Sequence, residues 1–389
     1  MNLETYDMVI IGGGPAGSAA AIFLARFGFN VCLFEKKAFP REILCGEFLS
    51  KEVIEIIKEL NLFDKFLSLN PNPIDKFCLI NEAGSELKTD LNFKAYGLKR
   101  SSFDLLLLSA ASDSGVAIFK EFGVSQIKKD GEIFYVSAKN SDNIIVNVQS
   151  DIVIAAYGKQ NILDKVLKRD FVRYKSPFNG IKFHIPKSML VNLAPNVISM
   201  FVAEGIYCGL NEVNEKAVNV CFIENRSKLV KSSRQNLIEF IMANRNLNQI
   251  FSNGSLEQIN NLPAYGTGNI YFGRKSLVEN SIFMIGDAAG VIAPLAGDGI
   301  GMALQSAKIV SKILLRKKIE KLSLYQAEKL YVKEWRYLFT RRIRTASAIQ
   351  KIILNKHLGS IGIKIAKTFP GTLPKIIEMT RGSNNLIQV

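Results

Sequence analysis

Only two histidines, His184 and His357, and one tryptophan, Trp335, occur in the 389 residues. So few imidazoles leave little material for a histidine-based metal site or a Ser-His-Asp triad, and no metal is expected. The five cysteines, Cys32, Cys45, Cys78, Cys208 and Cys221, are scattered with no Cys-x-x-Cys spacing. That pattern points to reduced thiols and a cytoplasmic protein. Long apolar runs are missing too: stretches such as Leu105 to Leu108 are too short to cross a bilayer. An export signal is not visible, because Glu4 and Asp7 stand where positive charge belongs and glycines with Pro15 interrupt the apolar stretch that follows.

What the chain does have is bulk and base. Its length suits roughly two or three domains, and 48% hydrophobic residues can fill their cores. The net charge of +15 is concentrated at one end: Lys312 to Val389 holds 17 Lys/Arg against 4 Glu, and the remainder is almost balanced.

Near the N-terminus, Val9-Ile10-Ile11 reads as a buried parallel strand and Ser18 to Arg26 as a helix. Between them lies Gly12-x-Gly14-x-x-Gly17 with Pro15 and Ala16. The first glycine permits a tight turn, the second a close approach of backbone to pyrophosphate, and the third close packing of helix on strand. The helix N-terminus then faces the phosphates. A second apolar run, Val31 to Phe34, ends in Glu35, 18 residues beyond Gly17. A carboxylate there accepts both hydroxyls of an adenosine ribose. The plain alternative is a structural Gly-rich turn followed by a surface glutamate.

The loop after Glu35 contains Lys36, Arg41, Cys45, Gly46 and Glu47, and Ser50 is placed to cap the helix Lys51 to Leu60. Open α/β sheets bind ligands at their carboxyl edge, so this loop should lie beside a cofactor. Lys36, Arg41, Cys45 and Gly46 are therefore expected to touch it, with Cys45 and Glu47 as candidate catalytic residues. Cys45 as a simple space-filler stays open.

Further along, Lys76 to Ile80 and Glu86 to Leu91 read as a hairpin with Gly84 at the turn, and Arg100 to Ala111 as a helix. Ile152 to Ala156 should return to the parallel sheet. Residues 171–261 alternate strand-like segments with one helical stretch, which suits a curved sheet roofing a pocket. A second informative stretch is Ser281 to Gly290, a buried strand ending in Gly286-Asp287. A Pro/Gly loop follows, Pro294-Leu295-Ala296-Gly297-Asp298-Gly299-Ile300-Gly301, before the helix Met302 to Leu314. An acid at a strand end can accept from the ribityl chain of FAD. The glycines let backbone amides and a helix N-terminus approach the flavin ring.

Gly12-x-Gly14-x-x-Gly17 with Glu35, Arg100-x-x-Phe-Asp, and Gly286-Asp287-Ala-Ala-Gly with Pro-x-x-Gly-Asp-Gly-Ile together resemble the FAD-dependent group that includes geranylgeranyl reductases and p-hydroxybenzoate hydroxylase. The Cys45-Gly46-Glu47 loop leans toward the reductase branch. The resemblance implies that Gly12, Gly14 and Gly17 hold the pyrophosphate, Glu35 the ribose, Asp287 the ribityl chain, and Arg100 the cofactor from its helix. Cys45 and Gly297, Gly299 and Ile300 would flank the isoalloxazine. Where aromatic hydroxylases of the group carry Asp-Gly, this chain reads Ala156-Tyr157-Gly158, and the Trp-x-Trp-x-Ile-Pro segment of flavin-dependent halogenases is missing. The reductase branch's own Tyr-x-Trp-x-Phe-Pro segment is also absent; the comparable strand reads Tyr207-Cys208-Gly209-Leu210.

The expected fold is α/β (α+β overall). A doubly wound, discontinuous Rossmann-like FAD domain (1–72, 98–160, 264–318) is joined by a discontinuous β-rich substrate domain (73–97, 161–263) and a basic helical C-terminal segment (319–389). The expected reaction is reduction of carbon-carbon double bonds in a long apolar molecule, with hydride from reduced flavin and a proton from a nearby acid or water. NAD(P)H or a ferredoxin-like protein would be the reductant. An aromatic hydroxylase, a dehydrogenase on a carrier-bound substrate and a non-catalytic flavoprotein are the alternatives. In the C-terminal segment Trp335, Leu338, Phe339, Ile343, Ile349 and Ile352 to Leu354 alternate with Arg336, Arg341, Arg342, Arg344, Lys351 and Lys356. That spacing predicts an apolar helical stripe with a cationic border. It would dock on an anionic membrane surface, making the protein peripheral, or on an acidic carrier protein; nucleic acid ranks last. A stripe packed inward under a solvated charged face is the alternative.

Overall fold

The structure is a computed structural model, and it describes residues 3–227, 231–252, 255–369 and 371–382. The end of the C-terminal segment, 383–389, thus lies outside the described residues.

Two large sheets organise the chain. In the first, the strand Glu4–Ile11 lies between Val31–Glu35 and Ile145–Ala155, pairing in parallel with both. Ala117–Lys120 extends the sheet on one side and Ile282–Met284 on the other, again in parallel. Val31–Glu35 is buried throughout, as expected of a strand covered on both faces. The helices Pro15–Arg26 and Gly299–Glu320 pack against each other on this sheet, and their small residues Ala16, Ala19, Ala20, Ala303 and Ala307 are buried between the layers. The hairpin Gly123–Asp130 and Ile133–Lys139 joins the same sheet through antiparallel pairing with Ile145–Ala155. The long helix therefore begins at Gly299 and runs to Glu320, a wider span than the Met302 to Leu314 expected.

The second sheet has eight strands and is mainly antiparallel. Its middle is Phe178–Pro186, Ala217–Asn225, Ile206–Asn214, Val197–Ala203 and Asn72–Asn81. It is edged by Ala264–Thr267 on one side and by Glu86–Gly97 with the two-residue strand Phe48–Leu49 on the other. The last of these is contributed by the loop after Glu35. Period-two alternation sorts its side chains. Phe183, Ile185, Cys208, Leu210, Val220 and Phe222 pack under the helix Ser233–Ala243 through Leu237, Phe240 and Ile241. Leu79, Met200, Val202, Tyr207 and Ile223 take the opposite face, toward the C-terminal helices.

Among the described residues the C-terminal segment forms three helices, Leu324–Ile353, Lys356–Thr368 and Thr372–Met379. The first has a Ser323/Gln326 capping box and turns its apolar stripe inward. Trp335, Phe339 and Ile343 are buried, and Trp335 stacks edge-on against Phe339. The Trp335, Phe339 and Ile343 part of the expected stripe, which continued to Leu354, is thus interior packing: aromatic area is worth more against the first sheet's helices than in water. Arg342 is buried as well, because it pairs with Asp298. No helix among the described residues is long and apolar enough to cross a membrane.

Candidate FAD and substrate site

The carboxyl ends of four parallel strands open into one cavity of about 1020 Å³. It is lined by Gly12, Gly14, Pro15, Ala16, Glu35 and Lys36, by Ala156 to Gly158, and by Asp287. That volume is at the top of the usual range of about 300–1000 Å³ for a single ligand site.

At the first turn the glycines are sterically dictated. Gly12 has φ +110°, and a Cβ there would lie 2.6 Å from the Ala156 carbonyl oxygen. A Cβ on Gly17 would lie 1.9 Å from the Gly12 oxygen, so helix and strand close up only over glycine. Gly14 is different: its Cβ would meet nothing nearer than Arg41 Nη2 at 3.4 Å. The space in front of it belongs to the cavity and not to the protein's own packing. Gly14 precedes the first turn of a twelve-residue helix, whose amide dipoles face that space. Arg41 Nη2 stands 3.4 Å from Glu35 and 3.7 Å from Asp104, while its buried Nε has no hydrogen-bond partner among the described residues. Glu35 accepts from the Gly13 amide at 2.7 Å and the Lys37 amide at 2.8 Å. Two amides orient the carboxylate and leave acceptor capacity for hydroxyls. Cradle, free guanidinium nitrogen and oriented acid fit the pyrophosphate and ribose of a dinucleotide.

The loop from Arg41 to Glu47 crosses to the second sheet. Glu47 sits in the left-handed region at φ +53°, a conformation that costs a non-glycine residue on the order of 1 kcal/mol and needs compensation. Its fully buried carboxylate supplies that. Oε1 accepts from Lys182 Nζ at 2.8 Å and from the Arg100 amide at 2.7 Å, and Oε2 bonds His184 Nε2 at 2.6 Å. Burial alone would raise this carboxyl, but the His184 hydrogen bond, the Lys182 ammonium and the Arg100 amide together hold it below its ordinary range. These partners favour its anionic form. Lys182 also donates to Glu42 at 2.6 Å, and Ser101 donates to the same carboxylate at 2.8 Å. Glu42, Glu47 and His184 lie close enough together to hold a metal ion, but the Lys182 ammonium already occupies the position between the two carboxylates.

Sequence reasoning missed Lys182 and His184. Their signal was the alternation in Ile181 to Ile185, which puts Phe183 and Ile185 under a helix and the two bases on the loop side. Arg100 is buried and forked onto Asp104 at 2.9 and 3.0 Å. Its amide donates to Glu47, whose own amide donates to Cys45 Sγ at 3.3 Å. Cys45 and Gly46 line the cavity next to Tyr207, a phenol that burial keeps neutral.

Asp287 faces the cavity with Lys159 Nζ 3.4 Å from its carboxylate. Buried Lys275 donates to the Asp287 carbonyl at 3.0 Å and the Lys159 carbonyl at 2.6 Å, and burial drives its ammonium down to about 8. Gly297, Gly299 and Ile300 line the wall beyond, where Gly297 takes a left-handed φ of +60° and Gly299 opens the 22-residue helix. This loop is clamped from outside. Asp298 is buried under Arg342, which also donates to Gln305 at 2.7 Å. Arg381 reaches the Gly297 carbonyl at 3.4 Å and lies over the Phe48 and Phe93 rings. All the sequence-selected residues, Gly17 apart, thus meet around one cavity; Gly17 acts behind it by packing.

The far end of the cavity is apolar. Phe77, Leu79, Met200 and Ile223 of the second sheet face Ile353, Leu373 and Ile377 of the C-terminal helices.

A glycine cradle and strand-end acid, joined to a loop that can receive a flavin ring, define a Rossmann-type flavoprotein. The chain belongs to the family described as FAD binding domain, which matches residues 5–318. It is 26% identical over 335 residues to the digeranylgeranylglycerophospholipid reductase of Thermoplasma volcanium, across 80% of this chain and 78% of that one. It is also 25% identical over 352 residues to a 1H-pyrrole-2-carbonyl-[peptidyl-carrier protein] chlorinase of Pseudomonas fluorescens, across 80% and 76%. Among solved structures, a geranylgeranyl bacteriochlorophyll reductase-like protein from Thermoplasma acidophilum superposes with a TM-score of 0.76 at 20% identity, covering 97% of this chain and all of that one. The expected membership of the FAD-dependent superfamily that includes geranylgeranyl reductases and p-hydroxybenzoate hydroxylase is thereby met, as is the expected α/β fold.

Proposed function

We propose that this protein uses FAD to reduce carbon-carbon double bonds of a long apolar molecule, isoprenoid or polyene-like. The observation that carries the reading is the composition of the cavity's far end, where Phe77, Leu79, Met200, Ile223, Ile353, Leu373 and Ile377 make the wall predominantly apolar. In this reading residues 1–72, 98–160 and 264–318 hold the cofactor. The strands of 73–97 and 161–263 roof the substrate.

Gly12, Gly14, Pro15, Ala16 and Gly17 shape the pyrophosphate turn, and Lys36 and Arg41 supply its positive edge. Glu35 accepts the ribose hydroxyls and Asp287 the ribityl hydroxyls. Arg100 braces the loop bearing Cys45 and Gly46, and that loop together with Gly297, Gly299 and Ile300 would hold the flavin ring. Bound FAD supplies two-electron hydride chemistry, refilled by NAD(P)H or a ferredoxin-like donor. The chain's own task is to exclude water, align the apolar chain and hold a proton. The Cys45 thiol and the Tyr207 hydroxyl stand at that wall as the groups that would pass on the proton, and addition of hydride and proton saturates one double bond. Glu47 works through its neighbours, since its carboxylate is committed to Lys182, His184 and the Arg100 amide. The basic C-terminal segment is the surface through which substrate arrives.

The test is anaerobic. Protein reconstituted with FAD and reduced with dithionite should be reoxidised by a detergent-dispersed polyprenyl lipid, and the product should gain two hydrogens for each double bond lost. Reoxidation only by oxygen with an aromatic acceptor would make the protein a hydroxylase. Flavin bleaching by a carrier-bound substrate without added reductant would make it a dehydrogenase.

A further inference from the structure

The inward turn of Trp335, Phe339 and Ile343 moves the question of an exposed apolar face to the next helix, Lys356–Thr368. That helix is apolar on two opposite sides. Gly359, Ile363 and Ala366 are buried, with Ile363 and Ala366 packed into the cluster of Leu79, Met200, Tyr207 and Ile223. Leu358, Ile361 and Ile365, spaced along the outer side, are 50%, 53% and 50% exposed. Phe369 continues the line at 62%, and Ile352 joins it beside Gly362 at 44%. Helices of globular proteins put polar residues on that side, so this one is built for a second apolar contact.

Charge says what kind. Between Lys351 and Thr380 the sequence holds Lys351, Lys356, Lys364, Lys367 and Lys375 against the single acid Glu378. All five lysines are exposed, and Lys356, Lys364 and Lys367 share the side of the helix between its buried face and the outer stripe, with Lys364 next to the stripe. An aliphatic stripe with a lysine border matches an anionic lipid surface, into which such side chains sink about 5–10 Å while lysines reach the headgroups.

We infer that the helix Lys356–Thr368 lies in the surface of an anionic bilayer, outer stripe inserted, and so sets the apolar end of the cavity against the lipid. The same helical segment supplies both contacts, since Leu373 and Ile377 of the following helix line the cavity itself. The inference rests on the proposed apolar substrate for its purpose, but docking is measured without turnover.

The experiment is cosedimentation of the FAD-loaded full chain with vesicles of phosphatidylcholine, alone or mixed with phosphatidylglycerol, at low and high salt. Wild type should bind the anionic vesicles and release in high salt. Lys356→Glu/Lys364→Glu/Lys367→Glu should weaken binding by about tenfold or more, as expected when several basic residues leave an anionic surface. Leu358→Ser/Ile361→Ser/Ile365→Ser should lose binding while keeping the wild-type melting temperature and flavin content. Lys128→Glu/Lys129→Glu, on the first sheet, should bind as wild type. Binding that ignores phosphatidylglycerol, or that both triple variants retain, overturns the inference. So does self-association, or capture of an acidic carrier protein, that the serine variant abolishes while wild type ignores vesicles. Docking without double-bond reduction leaves this inference intact and refutes the reading of function; reduction of a dispersed lipid by a protein that ignores vesicles does the reverse.

Discussion

Gly14 and Gly17 differ sharply in what an added methyl group would meet. At Gly14, φ is −76°, open to any residue, and an added Cβ meets only the end of the Arg41 side chain at 3.4 Å. Gly14→Val should therefore leave the apoprotein within about 1 kcal/mol of wild type, since the loss of chain freedom in the unfolded state offsets small local strain. The branched side chain nonetheless fills the space where a pyrophosphate would accept helix N-terminal amides. Losing two charge-assisted hydrogen bonds at about 1.5–3 kcal/mol each weakens FAD by roughly 3–6 kcal/mol, a factor of about a hundred to a few tens of thousands. Gly17→Ala gives the opposite result: with Gly12 O only 1.9 Å from the new methyl, strand and helix must separate and the apoprotein itself should melt early. The assay is FAD titration by flavin fluorescence quenching, alongside thermal melts with and without FAD. The ligand-dependent rise in melting temperature seen for wild type should vanish in Gly14→Val. A Gly14→Val protein that binds FAD with wild-type affinity would refute the cradle.

Two further substitutions test the loop. Cys45→Ser should retain flavin but change turnover or product distribution, because Cys45 lines the cavity, whereas Cys78→Ser should do neither, since Cys78 lies buried in the second sheet and donates to Glu86 at 3.0 Å; equal activity in both would return Cys45 to packing. Glu47 has a depressed folded-state pKa, so its stabilisation is complete above its ordinary value near 4.5 and is lost as pH falls through the folded value. Glu47→Gln should destabilise by about 3–5 kcal/mol at neutral pH by leaving Lys182 with one carboxylate fewer, and thermal melts from neutral to acid pH should show a shallower acid limb than wild type; superimposable limbs would remove Glu47 from the account.

The nucleotide half was legible because its constraints are local. Strand, three glycines, helix, strand and Glu35 each act within a few residues of their neighbours, so spacing alone locates the turn, and Gly286-Asp287 follows the same logic at another strand end. Arg100 and Asp104 are also a local pair, four apart on one helix. The C-terminal stripe was legible as a stripe but not as to its direction. Periodicity reports that Trp335, Phe339 and Ile343 share a face, and says nothing about whether protein or lipid covers it.

What the sequence determined by itself, then, is the βαβ cradle, the strand-end acids and the concentration of positive charge beyond Lys312, since backbone sterics and residue spacing act within short stretches of chain. Tertiary structure alone decided the rest. Glu47 meets Lys182 and His184 across more than a hundred residues of chain, and Asp298 meets Arg342 from a different helix. Such ion pairs depend on where two sheets and a helical tail come to rest, and a buried charge leaves no periodic trace of the partner that neutralises it.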